Sequence, residues 1–274
     1  MATSAQLLAY VLTGARRYTD RFEALRRRRR LDLGAEIQWE LLPVLAYELP
    51  SFSIAGALEP AYEIGGDTFD YAVSARSLTT CIIDAAGRGL RGAMLSSLAV
   101  SAIRNIRRSG GTIVEQVADA NRHLAAQFPR QDFVTALVLQ LDVGIGHGQI
   151  INAGHPPPLL LRDGAVRVVD LAPDFPLGLF GDTQYRAQPV ELQPGDRLLL
   201  LTDGIEEAHH RGRDGFGLDR VMELLASHAG QPPAEFVRLL TKAVIDHRSG
   251  HLEDDASVVC LDWHPITAAS TARS

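Results

Sequence analysis

The chain has 274 residues and a formal net charge of −6, with 46 % hydrophobic, 22 % charged and 6 % aromatic residues. That length suits one large domain or two small ones, and a mean hydropathy of +0.01 leaves enough apolar side chains for a sizeable core. The acidic balance and sparse aromatics exclude a nucleic-acid binder, and no apolar run reaches the roughly 18 residues of a membrane-spanning helix.

Residues 1–30 carry Leu7, Leu8, Val11, Ala15, Tyr18, Phe22 and Leu25 at helical spacing and end in five consecutive arginines at 26–30. The basic run reads as a solvated face, or as a contact for an acidic partner or anionic lipid. The segment has no long apolar core and no cleavage site, so it is read as unprocessed, in a protein of the cytoplasm. Residues 31–45 form a second helical stretch, with Leu33, Ile37, Leu41 and Leu42 on one side and Glu36 and Glu40 on the other, ended by Pro43. Pro50 marks a turn, and 52–58 alternates as a strand.

Two apolar strand-like runs then flank a polar turn within 63–92. Asp67 stands before the first run and Asp84 ends the second. An antiparallel hairpin would set these aspartates side by side at one sheet end. Gly87-Arg88-Gly89 permits a tight turn into a helix over 90–108, and Thr112 with Glu115 predicts a capping box for a helix over 113–128. Further on, strands are expected at 133–142, 149–153, 159–162, 166–171, 185–192, 197–202 and 256–263, with helices at 216–228 and 234–247. Cys81 and Cys260 lie inside apolar runs and read as buried thiols in a reducing compartment, with no disulfide implied. No linker is visible between Phe52 and Trp263. The organisation is a helical extension (1–45), one catalytic domain (46–265) and a tail (266–274).

Two more aspartates share the placement of the first pair: Asp203 follows the run L-L-L-L-T, and Asp254 precedes A-S-V-V-C-L. One aspartate at a strand end is ordinarily a turn former. Four such aspartates, far apart in sequence, suggest carboxylates gathered by a sheet. Oxygen ligands of this kind suit Mg²⁺ or Mn²⁺, and paired ions suit hydrolysis of a phosphoryl group.

The ordered set of motifs resembles the PPM/PP2C-type serine/threonine phosphatases, and within them the bacterial SpoIIE/RsbU branch. The matching blocks are A-E-I-Q-W-E-L-L-P (35–43), G-G-D-T-F-D (65–70), D-A-A-G-R-G (84–89), F-V-T-A-L (133–137), N-A-G-H-P (152–156), L-T-D-G-I-E-E-A (201–208) and D-D-A-S (254–257). The resemblance implies an α+β fold, a four-layer αββα sandwich of two antiparallel sheets with flanking helices. It implies two divalent ions, Mn²⁺ or Mg²⁺, held by Asp67, Asp84, the backbone carbonyl of Ala85, Asp203 and Asp254. The expected reaction is hydrolysis by a metal-activated water of phosphoserine or phosphothreonine on a phosphorylated anti-anti-sigma (STAS-type) protein. Asp70 and Asp255 are expected beside the ligands or on a third ion, with Asp255 the alternative to Asp254. Thr202, Glu206 and Glu207 are read as neighbours of the site, and His155 as a structural hydrogen-bonding residue. The stretch 31–45 resembles the family's regulatory helix, so a homodimer or sensor partner is expected through residues 1–45. The chain departs from the common D-x-S-G-H-G pattern at Ala86 and Arg88. Arg88 either contacts substrate phosphate or an acidic partner, or faces solvent. The departure keeps a second reading open, a weakly active or inactive phosphatase-fold regulator of a sigma-factor pathway, and the carboxylate chemistry alone leaves a third, an unrelated metal enzyme of small phosphoesters.

Overall fold

Phe52, Ile54 and Leu58 alternate with smaller residues, and so do Val259, Leu261 and Trp263; these residues close a single interior layer between two sheets. The computed structural model describes residues 33–59, 65–206, 216–247 and 254–264. The expected helix over 1–30, with its arginine run, and the tail at 266–274 lie outside them, as does Glu207.

The first sheet has six strands in the order β1-β2-β11-β10-β7-β8, formed by β1 (Ala46–Leu49), β2 (Phe52–Glu59), β7 (Leu159–Arg162), β8 (Ala165–Val168), β10 (Arg197–Leu201) and β11 (Ala256–Trp263). The second has five in the order β3-β4-β5-β6-β9, formed by β3 (Thr68–Val73), β4 (Ser77–Ala85), β5 (Val134–Asp142), β6 (His147–Ala153) and β9 (Gln188–Glu191). All pairings between these strands are antiparallel. Helices α1 (Leu33–Leu41), α2 (Gly89–Arg108) and α3 (Ile113–Gln127) belong to the second-sheet half of the molecule. The short α4 (Asp203–Glu206) follows β10, and α5 (Leu218–Ser227) and α6 (Pro233–His247) belong to the first-sheet half.

Three apolar clusters define the layers. Cys81, Ile83 and Val138 meet Leu95, Ile103 and Val117 of α2 and α3. Phe69, Ile82 and Leu139 meet Ile54, Leu200 and Val259 between the sheets. Leu199, Val258 and Cys260 meet Val221, Phe236 and Leu240 of α5 and α6. Both faces of the central strands are therefore covered, which is why β10 reads as a continuous apolar run and not as an alternation. The result is the αββα sandwich. Cys81 and Cys260 are free thiols in the two different outer clusters, which separates them by the width of the sandwich.

Most expected elements are present with their ends shifted. The capping box forms: Thr112 Oγ1 accepts from the Glu115 N–H, and the Glu115 carboxylate accepts from the Thr112 N–H at 2.7 Å. Strand β8 stops at Val168 and β9 starts at Gln188, both shorter than the apolar patterns suggested. Strand β1 was not expected; its four residues are exposed or half-buried, so no burial alternation marks them. The buried Arg197 of β10 is satisfied by two bonds to its cross-strand partner Asp262 at 2.6 and 2.7 Å and by the Phe236 ring 5.2 Å away.

Candidate metal centre

The β3–β4 register decides the centre of the site. Thr68 pairs with Ile83 and Phe69 with Ile82, so one step further Asp67 stands opposite Asp84. Side chains alternate along a strand, and Phe69 and Ile82 face the space between the sheets. Asp67 and Asp84 share that parity and open into the same space at its end. On the opposite sheet, β10 runs through Leu198 and Leu200 to Thr202, and β11 runs back from Val259 through Ser257 to Asp255, again on the inward face.

Thr202 joins these ends. Its hydroxyl donates to Asp67 Oδ2 at 2.6 Å and accepts from the Ser257 N–H at 2.9 Å, so one side chain ties β3, β10 and β11 together. Asp203 follows directly and starts α4. Glycine is required where backbones crowd the carboxylates. A Cβ at Gly204 would fall 1.9 Å from the Asp255 carbonyl oxygen, and one at Gly65 would fall 2.9 Å from both Asp254 Oδ1 and Asp255 Oδ2. The Ala85 carbonyl oxygen lies on the same side, 2.7 Å from where a Gly66 Cβ would be. Gly87 and Gly89 take φ of +103° and +63° and turn the chain from β4 into α2. Arg88 between them is the exposed N-cap of α2, and its side chain makes no capping bond.

The structure thus gathers Asp67, Asp84, Asp203, Asp254 and Asp255. Asp67 is 3 % exposed, and its carboxyl is pushed well above the usual range by burial first, then by the charges of Asp84 and Asp255, against the Thr202 bond. Asp84 is raised to about 7 by burial and by the charges of Asp203 and Asp254, with a hydrogen bond to Asp67 pulling the other way. Among the described residues no group of three or more His, Cys, Asp or Glu side chains is arranged as a ready set of ion ligands. The donor set nevertheless fits a hard divalent cation: it is all oxygen, it is anionic, and its members hold one another's pKa values up.

The adjacent aspartates differ. Asp255 is buried and accepts from Gln38 Nε2 at 3.1 Å, while Asp254 is exposed and accepts the Asp255 N–H at 2.9 Å. Asp70 is not part of the cluster. Three residues from Asp67 along an extended strand, it faces the helices, where Arg104 engages both its oxygens at 2.8 and 3.1 Å and Arg107 donates at 3.1 Å. His155 is buried and stands between the sheets as a structural link. Its Nδ1 is 2.8 Å from Thr135 Oγ1 and its Nε2 is 2.9 Å from the Leu201 carbonyl, one residue before Thr202.

Gln38 is the residue that the sequence reading passed over. It lies on α1, is 1 % exposed, and its amide donates to the Gly65 carbonyl at 2.9 Å and the Asp67 carbonyl at 3.0 Å as well as to Asp255. The available signal was a lone amide between Ile37 and Trp39 in a helix whose other polar residues nearby are glutamates.

The fold is the PP2C-type phosphatase architecture. Residues 74–264 match the family model described as Stage II sporulation protein E (SpoIIE). The chain belongs to the SpoIIE family, in the SpoIIE/RsbU branch of that architecture. It is 25 % identical over 246 residues to the phosphoserine phosphatase RsbP of Bacillus subtilis, covering 87 % of this chain and 59 % of the relative, so it spans somewhat over half of that protein. A solved Mycobacterium tuberculosis structure of RsbU and RsbW domains is 29 % identical with a TM-score of 0.67, covering 81 % of this chain and 62 % of that one. The SiaA-PP2C domain of Pseudomonas aeruginosa shares the fold at 21 % identity with a TM-score of 0.70, covering 96 % of this chain and 100 % of that one.

Proposed function

We propose that the chain is a Mn²⁺- or Mg²⁺-dependent protein phosphatase that hydrolyses phosphoserine or phosphothreonine on a regulatory protein of the anti-anti-sigma (STAS-type) class. The observation that carries this reading is the convergence of Asp67, Asp84, Asp203 and Asp254 from four separate strand ends onto one acidic, oxygen-only site. Family membership and the likeness to a phosphoserine phosphatase support it.

Asp67, Asp84, the Ala85 carbonyl, Asp203 and Asp254 would hold two ions. When bound, these supply a lowered pKa for water and positive charge opposite the phosphoryl oxygens. The chain's own contribution is positioning. Thr202 fixes the rotation of the Asp67 carboxylate, Gln38 fixes the 65–67 backbone and Asp255, and Asp255 lies buried beside the ligands. His155 holds the end of β10 against β5, which sets where Thr202 and Asp203 emerge. Residues 1–45 would serve as the regulatory extension for a second copy or a sensor, in the cytoplasm.

The test is Mn²⁺-dependent phosphate release from p-nitrophenyl phosphate and from a phosphorylated anti-anti-sigma protein. Wild type is expected to be active, and Asp84→Asn is expected to lose about a hundredfold or more in kcat/KM on both. The departure at Ala86 and Arg88 favours a second reading, a weakly active regulator that binds its partner without turnover. Metal bound with no phosphate released from either substrate would select it.

A further inference from the structure

Beside the carboxylate cluster, the molecule presents arginines with one exposed and one half-buried aromatic ring on a rigid frame, although the chain as a whole carries −6. Arg91, in the first turn of α2, has a side chain 54 % exposed and donates through Nε to Asp132 at 2.8 Å. Phe133, the next residue, gives its carbonyl to the Ala86 N–H at 2.9 Å, which places this segment alongside Asp84-Ala85. The exposed Arg130 has its guanidinium carbon 5.5 Å from the Phe180 ring, and among the described residues it has no carboxylate partner. Phe180 meets Phe175 edge to face, with centroids 4.9 Å apart.

The loop carrying both rings is pinned. Leu177 exchanges backbone bonds of 2.9 and 2.8 Å with Val134 at the site end of β5. Asn121 of α3 accepts the Gly178 N–H at 2.8 Å and donates to the Phe180 carbonyl at 2.9 Å. Phe175 is nonetheless 58 % exposed. A ring left in water on a loop this constrained loses almost no further entropy when a partner covers it, and arginine with aromatic residues is the composition enriched in docking hot spots.

We propose that Arg91, Arg130, Phe175 and Phe180 form the surface on which the phosphoprotein substrate docks. The surface selects acidic residues flanking the phosphoserine, taken by the arginines, and an apolar side chain laid against Phe175. The inference rests on the phosphatase reading for its substrate. It goes beyond that reading in assigning specificity to residues outside the carboxylate cluster.

The experiment uses three phosphoserine peptides of equal length, flanked by Glu, by Gln or by Lys and sharing one leucine beyond the flank, with p-nitrophenyl phosphate as a substrate too small to reach the surface. For wild type with Mn²⁺, kcat/KM should rank Glu above Gln above Lys, by about fivefold at each step. Arg130→Glu should reverse that order, and Phe175→Ser should raise KM for every peptide about tenfold. Both variants should keep wild-type turnover of p-nitrophenyl phosphate. An unchanged peptide ranking in Arg130→Glu, or parallel losses on p-nitrophenyl phosphate, overturns the docking surface. Binding of the fluorescently labelled Glu-flanked peptide to Asp84→Asn, followed by anisotropy with and without Arg130→Glu, separates the two readings. Binding weakened by Arg130→Glu with no hydrolysis in wild type sinks the phosphatase and keeps the surface; binding insensitive to the substitution sinks the surface.

Discussion

Thr202 and His155 show how much of the site depends on side chains that carry no catalytic charge. The Thr202 hydroxyl has both its roles committed, donating to Asp67 and accepting from Ser257, so the Asp67 carboxylate has one preferred rotation. Thr202→Val keeps the shape and removes both bonds. It is expected to weaken Mn²⁺ binding by about tenfold or more in titration calorimetry, the usual cost of losing a partner that orients a ligand. His155 is held neutral: burial lowers its pKa to about 4, only partly offset by its bond to the Leu201 carbonyl. The unfolded chain titrates near 6.5, so it binds more protons than the folded one between the two values. This contribution to stability is complete above about pH 6.5 and is lost as pH falls toward 4. Between about pH 7.5 and pH 5 the loss is about 2 kcal/mol. Asp67 and Asp84, with raised pKa values, drive the opposite slope, so the measurement is a difference: urea unfolding of His155→Gln should lose about 2 kcal/mol less than wild type across that range. Equal slopes would show that His155 titrates as it does in water.

At the scale of elements, α1 is where the chain outside the sandwich reaches the site. Gln38 touches the backbone of Gly65 and Asp67 directly, and Arg104 of α2 bonds at once to the Leu41 carbonyl at the end of α1 and to Asp70 of β3. A displacement of α1 would therefore be felt by the strand that carries Asp67. Gln38→Ala leaves two carbonyls and a carboxylate without this donor. It should cost about 1–3 kcal/mol in chemical unfolding and raise the Mn²⁺ concentration needed for half-maximal activity. An unchanged metal requirement would make α1 a packing element only. Helical spacing and Pro43 were enough to place this helix in the sequence. They did not show that Gln38 is buried, because its neighbours Glu36 and Glu40 mark the same helix as half-solvated.

Over the whole molecule, the site is the open end of the interior layer, where one sheet delivers Asp67 and Asp84 and the other delivers Asp203, Asp254 and Asp255. Mutual repulsion of these groups opposes closure of the sheets at that end, and a divalent ion held there would reverse the sign. Adding Mn²⁺ to chelator-treated protein is expected to stabilise it by about 3 kcal/mol at a hundredfold excess over the dissociation constant, read as a rise in the melting temperature. Asp84→Asn should blunt that rise. No described helix is long and apolar enough to cross a membrane.

What the sequence determined by itself was local. The hairpin register that sets Asp67 opposite Asp84, the glycine turn into α2, the capping box at Thr112 and the buried run of β10 all follow from spacing, turn chemistry and apolar periodicity. The tertiary structure alone decided which faces met. Asp67 and Asp70 are three residues apart and the same residue type, yet strand parity sends one to the carboxylate cluster and the other to two arginines on α2. Asp254 and Asp255 are neighbours, yet one ends exposed beside Gly65 and the other is buried against Gln38. Residue type fixes the charge that an aspartate brings. Where that charge goes depends on which layer covers each side of its strand, and contacts across the sandwich settle that.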